Sequence, residues 1–401
     1  MAPPTRRRKR DLAAAAPAID PADRLSNLPD EILAQILSFL PAHEAVRTCV
    51  LARAWRGVWK LSRRLLITGN SVAAARGFVA PLLRCRRRLD ACEIVFDPGE
   101  DDDVSVNSWI RRALRCQVKT LRVDMGDRMD LNAYLPMSKR LLVSQHLTRL
   151  ELRGVSTCRH LDFSGCPALE LLEFSYCNFS DTRKMTSPSL KHLVLTSCES
   201  VEDDRRFRIC VPGLVSLRLE EVQFRTPLLE SMPELVGAYV EIGSFLDNCR
   251  CDDPASCYHV TRSGHITDTG SDSDSEEGSD DSAEQITTKC MLLEGLAQAQ
   301  DLVLIARCSR TYIIRRDLRW CPIFSKLKTL VLNDKLCERD DCRALACILE
   351  HAPFLEKLTV IFSQQVKGKY NVEVEGCLDA TAKSTMISQH LKIVKNSKNT
   401  L

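Results

Sequence analysis

Four segments of one spelling recur in the middle of the chain, and they constrain its fold more than any other feature. HLTRLELRGV carries Leu147, Leu150 and Leu152, and ALELLEFSYC carries Leu169, Leu172 and Phe174. SLKHLVLTSC carries Leu190, Leu193 and Leu195, and GLVSLRLEEV carries Leu214, Leu217 and Leu219. The middle leucines lie 22, 21 and 24 residues apart. Two later copies, KLKTLVLND (Leu327, Leu330, Leu332) and FLEKLTVIF (Leu355, Leu358, Val360), stand 28 residues apart. Alternation of apolar and polar side chains over so short a run marks a strand buried on one face. No single copy can hide that face alone. Stacking the copies joins the spelled leucines into one continuous core while the chain returns along the outside. The residues between the leucines then point the other way, onto the exposed side of the strands. They include Arg149, Glu151, Arg153, Glu173, Ser175, His192, Val194, Thr196, Ser216, Arg218 and Glu220.

Upstream, Leu65 to Ile67 reads as an edge strand, Val72 to Leu83 as a helix, and CEIVF (Cys92 to Phe96) as a strand. SWIRRAL (Ser108 to Leu114) is helical and VKTLRV (Val118 to Val123) extended again. Downstream, Asp340 to His351 predicts a helix ended by Ala352 and Pro353. The 19 cysteines do not form a disulfide framework. The chain is long, lacks the apolar core of a signal peptide, and places Cys177 and Cys198 just after a leucine run, where a reduced thiol serves as a small hydrophobe.

A second organised stretch lies ahead of the repeats, from Asp23 to Leu66. Asn27, Leu28 and Pro29 read as a helix start, with Asp30 and Glu31 where the helix dipole favours negative charge. Ile32, Leu33, Ile36, Leu37 and Leu40 recur at helical spacing until Pro41 stops them. A second helix from His43 or Glu44 carries Val46, Val50 and Leu51, and a third carries Trp55, Val58, Trp59 and Leu61. Three short helices cannot cover that much apolar surface among themselves. Part of it is a docking face.

The front stretch resembles an F-box: the LPDEIL start, the ILSFLP stop, the AVRTCVLARAWRGVW continuation and the preceding DRLS are in register with that family, with Ala52 and Ala54 as small departures. The LxxLxL spelling at steps in the twenties is the leucine-rich-repeat signature, and the end of the chain is similar to the FBD-type region of plant F-box proteins with leucine-rich repeats. The fold implied is an α+β, α/β-solenoid arrangement. A small three-helix F-box precedes an arc with parallel strands on its concave face and helices and loops on its convex face. The resemblance also implies a job: docking on a Skp-family adaptor, and through it a cullin, as the substrate-recognition subunit of a ubiquitin ligase. The residues carried over as the adaptor face are Leu28, Pro29, Ile32, Leu33, Ile36, Leu37, Leu40, Pro41, Val46, Val50, Leu51 and Trp55. Some must instead hold the helices together, and the sequence does not divide the two sets. The outward strand residues are the expected face for a protein client. Two alternatives are a scaffold or decoy outside any ligase, and a receptor in which a small ligand completes the client surface.

The predicted division is a basic disordered tail (1–22), the F-box (23–66), repeats (67–245), an acidic insertion (246–286), further repeats with FBD-like character (287–382) and a flexible tail (383–401). With 56 basic and 53 acidic residues the net charge is only +3, so no nucleic-acid partner is implied. No apolar run reaches membrane-spanning length. An intracellular protein is expected, with Arg6 to Arg10 either a nuclear-import signal or a solvated tail. Gly270 to Gln285 is dense in Asp, Glu and Ser and cannot order itself. Beside it, Cys249, Cys251, Cys257 and His259 match no zinc spacing, and neither metal nor cofactor is assigned. No nucleophile elbow, phosphate loop or zinc-protease motif occurs, so the expected role is non-enzymatic.

Overall fold

The computed structural model describes residues 25, 28–51, 53–69, 71–84, 88–96, 103–126, 134–137, 142–200, 206–242, 245, 292–306, 320–333, 342–362 and 393–398. The basic cluster at the start, Asn27, the acidic insertion and the Cys249-to-His259 group lie outside these residues. The chain divides into two compact units, Met1–Leu66 and Ile67–Leu401.

In the first unit, α1 (Asp30–Leu37) starts directly after Pro29. Pro29 is extended, with φ −55° and ψ 146°, and its carbonyl accepts the Ile32 and Leu33 N–H groups at 3.0 and 3.1 Å. The proline is thus the flanking residue of the helix and not its first turn, one position earlier than its spelling predicts. Asp30 and Glu31 form the first turn, beside the positive end of the dipole. The Ser38 hydroxyl closes the other end by donating to the Gln35 carbonyl at 2.6 Å. After Pro41, α2 (Ala42–Arg47) repeats the device, with Ala45 N–H donating to the Pro41 carbonyl at 2.9 Å. The expected third helix does not form as one rod. The expected second helix ends at Arg47 and passes into a single 3₁₀ turn at Thr48–Val50, and single turns at Arg53–Trp55 and Val58–Lys60 replace the third. Gly57 stands between the last two at φ +89°, a left-handed backbone that glycine adopts without steric cost and that interrupts a helix.

The second unit is built on parallel strands. Its first part holds β1 (Arg64–Gly69, which begins in the preceding unit), α3 (Val72–Arg84), β2 (Ala91–Phe96), α4 (Asp103–Arg115), β3 (Thr120–Asp124), β4 (Leu135–Pro136), β5 (Arg149–Arg153) and β6 (Val155–Ser156). The middle holds β7 (His160–Asp162), β8 (Leu171–Ser175), β9 (Lys184–Thr186), β10 (His192–Thr196), β11 (Arg208–Cys210), β12 (Ser216–Glu220), β13 (Leu228–Leu229) and β14 (Gly237–Glu241). The last part holds α5 (Leu293–Leu296), β15 (Asp301–Ile305), β16 (Thr329–Asn333), α6 (Cys342–Glu350), β17 (Lys357–Phe362) and β18 (Ile393–Lys398).

Twelve of these strands make one sheet in the order β1-β2-β3-β5-β8-β10-β12-β14-β15-β16-β17-β18, parallel from β2 onward. The register keeps the spelled leucines in line. Leu150, Leu172, Leu193 and Leu217 are successive partners, as are Leu152, Phe174, Leu195 and Leu219. All eight are buried. Two strands of this sheet, β14 and β15, were not predicted, and β18 lies in the stretch read as a flexible tail. The sequence step between β14 and β15 is long because the acidic insertion lies in it, yet Ala238 pairs with Leu302 and Val240 with Leu304 in the ordinary register.

Each middle repeat leaves its strand by the same backbone device. Gly154, Tyr176, Ser197 and Glu221, the residues just after β5, β8, β10 and β12, have φ of 67°, 51°, 50° and 51°. Only the first must be glycine: a Cβ there would meet the Gly126 carbonyl oxygen at 2.6 Å. The next residue turns back into the core, where Cys177 and Cys198 are fully buried. Their thiols donate to the Leu152 and Phe174 carbonyls of the preceding strand at 3.4 and 3.5 Å. These cysteines are core, as their position after the leucine run predicts.

The return path differs from the helices and loops expected. Helices α3 and α4 pack together, and Trp109 of α4 meets Phe96 of β2 with ring centroids 5.6 Å apart. In the middle repeats the return is extended. There, β7, β9, β11 and β13 form a second parallel sheet. Its buried residues Leu161, Met185, Ile209 and Leu229 stand in register, and the buried rings of Phe179, Phe207 and Phe224 pack against one another beside it. Among the described residues no helix is long and apolar enough to cross a membrane.

One local position tests the backbone argument. Gln117, which closes the last turn of α4 with its N–H on the Leu114 carbonyl, is exposed and left-handed at φ 58°. Gln117→Gly is expected to stabilise the second unit by about 0.5–1 kcal/mol, because glycine carries no Cβ penalty at a helix end of this kind. Urea unfolding with intrinsic fluorescence checks this; a loss of stability contradicts it.

Candidate functional site

The first unit divides its apolar residues between a core and a surface, and the division is finer than the sequence allowed. Leu33 (0% exposed), Leu37 (2%), Trp55 (5%), Ala34, Ala45 and Val58 form the core, with Leu40 and Trp59 partly buried against it. Leu33, Leu37 and Trp55 were among the residues read as a docking face. They are enclosed by their own unit and take no part in a surface. The opposite side of α1 is apolar too. Leu28 (36% exposed), Ile32 (43%), Ile36 (40%) and Phe39 (66%) follow one another at spacings of four, four and three, which is one stripe of a helix. Pro29 extends this stripe at its start, while Val50 (86%) and Leu51 (71%) project from the first 3₁₀ turn. Leu40, Pro41 and Val46 are half-buried. Phe39 was missed by the sequence reading, although its place three residues after Ile36 carries the signal. Ile32 and Ile36 on the helix, with Leu28 before it and Phe39 after it, make one exposed apolar row of the kind that marks interaction sites.

On the second unit, the outward residues of the long sheet fall into rows set by the strand register. The central row runs Glu93, Arg122, Glu151, Glu173, Val194, Arg218, Tyr239, Val303, Val331 and Thr359. It is charged at the early strands and largely aliphatic at the later ones. Arg149 and His192 lie on one side of this row, and Arg153, Ser175, Thr196 and Glu220 on the other. All eleven outward residues expected for a client face stand on this open face, and none is buried. Arg122, Tyr239 and Val303 join them and were not foreseen, since β3, β14 and β15 were outside the regular repeat spelling, and Val331 joins them between Leu330 and Leu332 of a later copy.

The charges on this face neutralise one another locally. Arg218 Nε meets Glu220 Oε2 at 2.7 Å and Arg122 meets Asp124 Oδ2 at 2.9 Å, while Arg149 pairs with Glu151 in the same way along its own strand. Arg153 Nε approaches Asp124 at 3.7 Å. The hydrogen bonds that Arg122 and Arg218 donate to Asp124 and Glu220 hold these guanidiniums above their ordinary pKa, so they stay charged. Exposed pairs of this kind contribute about 0–1 kcal/mol each to stability. Their effect is to hold the guanidiniums flat: Arg153 lies over the Tyr176 ring and Arg218 over the Tyr239 ring, both at 4.4 Å from the centroid. A depression of about 100 Å³ opens among Arg122, Asp124, Glu151, Arg153, Glu173 and Ser175. Such a surface offers planar cations, paired carboxylates and aromatic rings.

Comparison with known proteins decides the first unit. Residues 25–66 match the family model of the F-box domain. The first unit is an F-box. Beyond the F-box, the chain is similar to plant proteins that share the domain. It is 32% identical over 221 residues to the meiotic F-box protein MOF of Oryza sativa subsp. japonica, a match covering 49% of this chain and 46% of that protein. It is 28% identical over 256 residues to an FBD-associated F-box protein of Arabidopsis thaliana, covering 56% and 61%. To an F-box/FBD/LRR-repeat protein of the same plant it is 26% identical over 264 residues, covering 56% and 57%. The chain spans about half the length of the curated relatives it matches. The resemblance read from the F-box residues and the leucine repeats is thus that of its relatives, plant F-box proteins with FBD and leucine-rich repeats.

Proposed function

We propose that this chain is the substrate-recognition subunit of a ubiquitin ligase of the Skp adaptor–cullin–F-box type. The F-box docks on a Skp-family adaptor, and the open face of the repeat sheet, read as the concave side of an arc, holds a protein client. The observation that carries this is the row Leu28, Ile32, Ile36 and Phe39, exposed along α1 and at its two ends in a domain whose family works by binding such adaptors. Burying the row would remove large apolar side chains from water, each contributing about 1.5–3 kcal/mol when fully covered. The chain needs no catalytic group for this role. Holding a client near a ubiquitin-loaded enzyme raises its effective concentration, which accelerates transfer without further chemistry.

The test is capture of purified Skp-family adaptor by the full chain, followed by a search for cullin in the captured complex. Leu28→Ala combined with Pro29→Ala is expected to weaken capture at least tenfold with the circular dichroism of the chain unchanged, because both residues are exposed and lie outside the core. Undiminished capture by that variant would remove the assigned face. Adaptor without cullin in the complex would favour the scaffold reading.

A further inference from the structure

Three side chains with soft donor atoms meet in the C-terminal repeats, outside both surfaces described above. Cys321 lies in the segment leading to β16, Cys347 on α6, and His351 immediately after that helix. One ligand atom from each falls within 4.8 Å of the others, and all three residues are half-buried. The backbone sets this up before any side chain contributes. Cys347 and His351 are four residues apart and share a helix face, and the Phe324 N–H donates to the His351 carbonyl at 2.8 Å, which pins the Cys321 segment against the helix end.

We infer that Cys321, Cys347 and His351 form a zinc-binding site. Two sulfurs and an imidazole suit a borderline-soft cation and disfavour magnesium, calcium and manganese, which take oxygen ligands. Zinc bonds of about 2.3 Å to sulfur and about 2.0–2.1 Å to nitrogen place tetrahedral ligands roughly 3.5–3.8 Å apart. One ligand atom of each residue lies within 4.8 Å of the others, so side-chain rotation brings the three to that spacing. The second shell is in place as well. His351 Nδ1 lies 2.8 Å from the Cys347 carbonyl oxygen. A proton on Nδ1 donated to that oxygen leaves the Nε2 lone pair for the metal, the arrangement that commonly orients histidine ligands. Three protein ligands leave a fourth position for water or a further donor. The bound ion clips the segment before β16 to α6 and ties together the repeats of β16 and β17 at their outer side.

The test uses the full chain, purified reduced, without chelator and with any histidine tag removed. Elemental analysis is expected to find about one zinc per chain, falling to background in the Cys347→Ser, His351→Gln double variant. A Cys249→Ser, Cys251→Ser variant should keep its zinc. Cobalt in place of zinc should give thiolate-to-metal charge transfer that weakens in Cys321→Ser, a readout that stands even where the double variant fails to fold. Wild-type protein without stoichiometric metal overturns the site. So does zinc that disappears with Cys249 and Cys251 but survives loss of Cys347 and His351, or an air-oxidised Cys321–Cys347 disulfide in place of any metal uptake.

Discussion

Leu37→Ala is expected to destabilise the F-box by about 3 kcal/mol, while Ile36→Ala, one residue away, changes its stability by about 0.5 kcal/mol or less. Leu37 is 2% exposed and packs in the core with Leu33, Trp55 and Val58, so truncation leaves a cavity among side chains that cannot all follow it inward. Ile36 is 40% exposed on the other side of the same helix. A unit of this size has few kcal/mol to lose. The first variant should therefore show early loss of protection from limited proteolysis across residues 28–66, with the repeats behind it intact. If the row on α1 is the adaptor face, Ile36→Ala should weaken adaptor capture about tenfold while the protease pattern stays that of the wild type. Equal stability losses in the two variants would mean that the core and the surface have been assigned the wrong way round.

Phe179→Ala is expected to cost the repeat unit about 3–5 kcal/mol. Its ring is 2% exposed and meets Phe174 edge-on at 5.2 Å, Phe207 at 5.6 Å and Phe224 at 6.1 Å. It therefore touches rings from three neighbouring segments at once, and no neighbour can fill its place without leaving another partner. Because stacked repeats hold one another by their interfaces, the loss should spread along the stack. Hydrogen exchange is expected to quicken at β8, β10 and β12 together with β9 and β11, and less at β2 and β3. A loss below 1 kcal/mol, or faster exchange confined to one strand, would show that the second sheet contributes little. Val194→Ala, on the open face, is the matched control and should leave exchange unchanged.

The repeats could be read from the residues because their core side of each strand carries the same large aliphatics, and a spelling that repeats is visible without knowing the fold. Where the side chains depart from that spelling, the strands were missed. In β14 the inward residues are Ala238 and Val240, too small and too ordinary to signal a repeat, although they pair in register with Leu217 and Leu219. The second sheet was illegible for another reason. Its strands are two or three residues long and bury one side chain each, such as Leu161 or Ile209, and one residue has no period. On α1 the obstacle was excess. Apolar residues cover both the enclosed and the exposed side, so periodicity shows a helix without showing which side is which. Only packing separates Leu33 and Leu37 from Ile32 and Ile36. The open face was legible as alternation at β5, β8, β10 and β12, but its stacked arginine–tyrosine pairs join residues of different repeats. Cys321 and His351 are likewise brought together across thirty positions by strand pairing and one backbone hydrogen bond.

The ladder closes directly from β14 to β15, although Glu241 and Asp301 are 60 positions apart in the sequence. Entropy of loop closure rises only slowly with length, so the intervening sequence can grow or shrink at little expense to the stacked strands. Its two ends also stay fixed at neighbouring rungs whatever lies between them. That junction is therefore a natural graft point: new sequence could be spliced in there, and a new binding habit acquired, without disturbing either the leucine stack or the helices at the front.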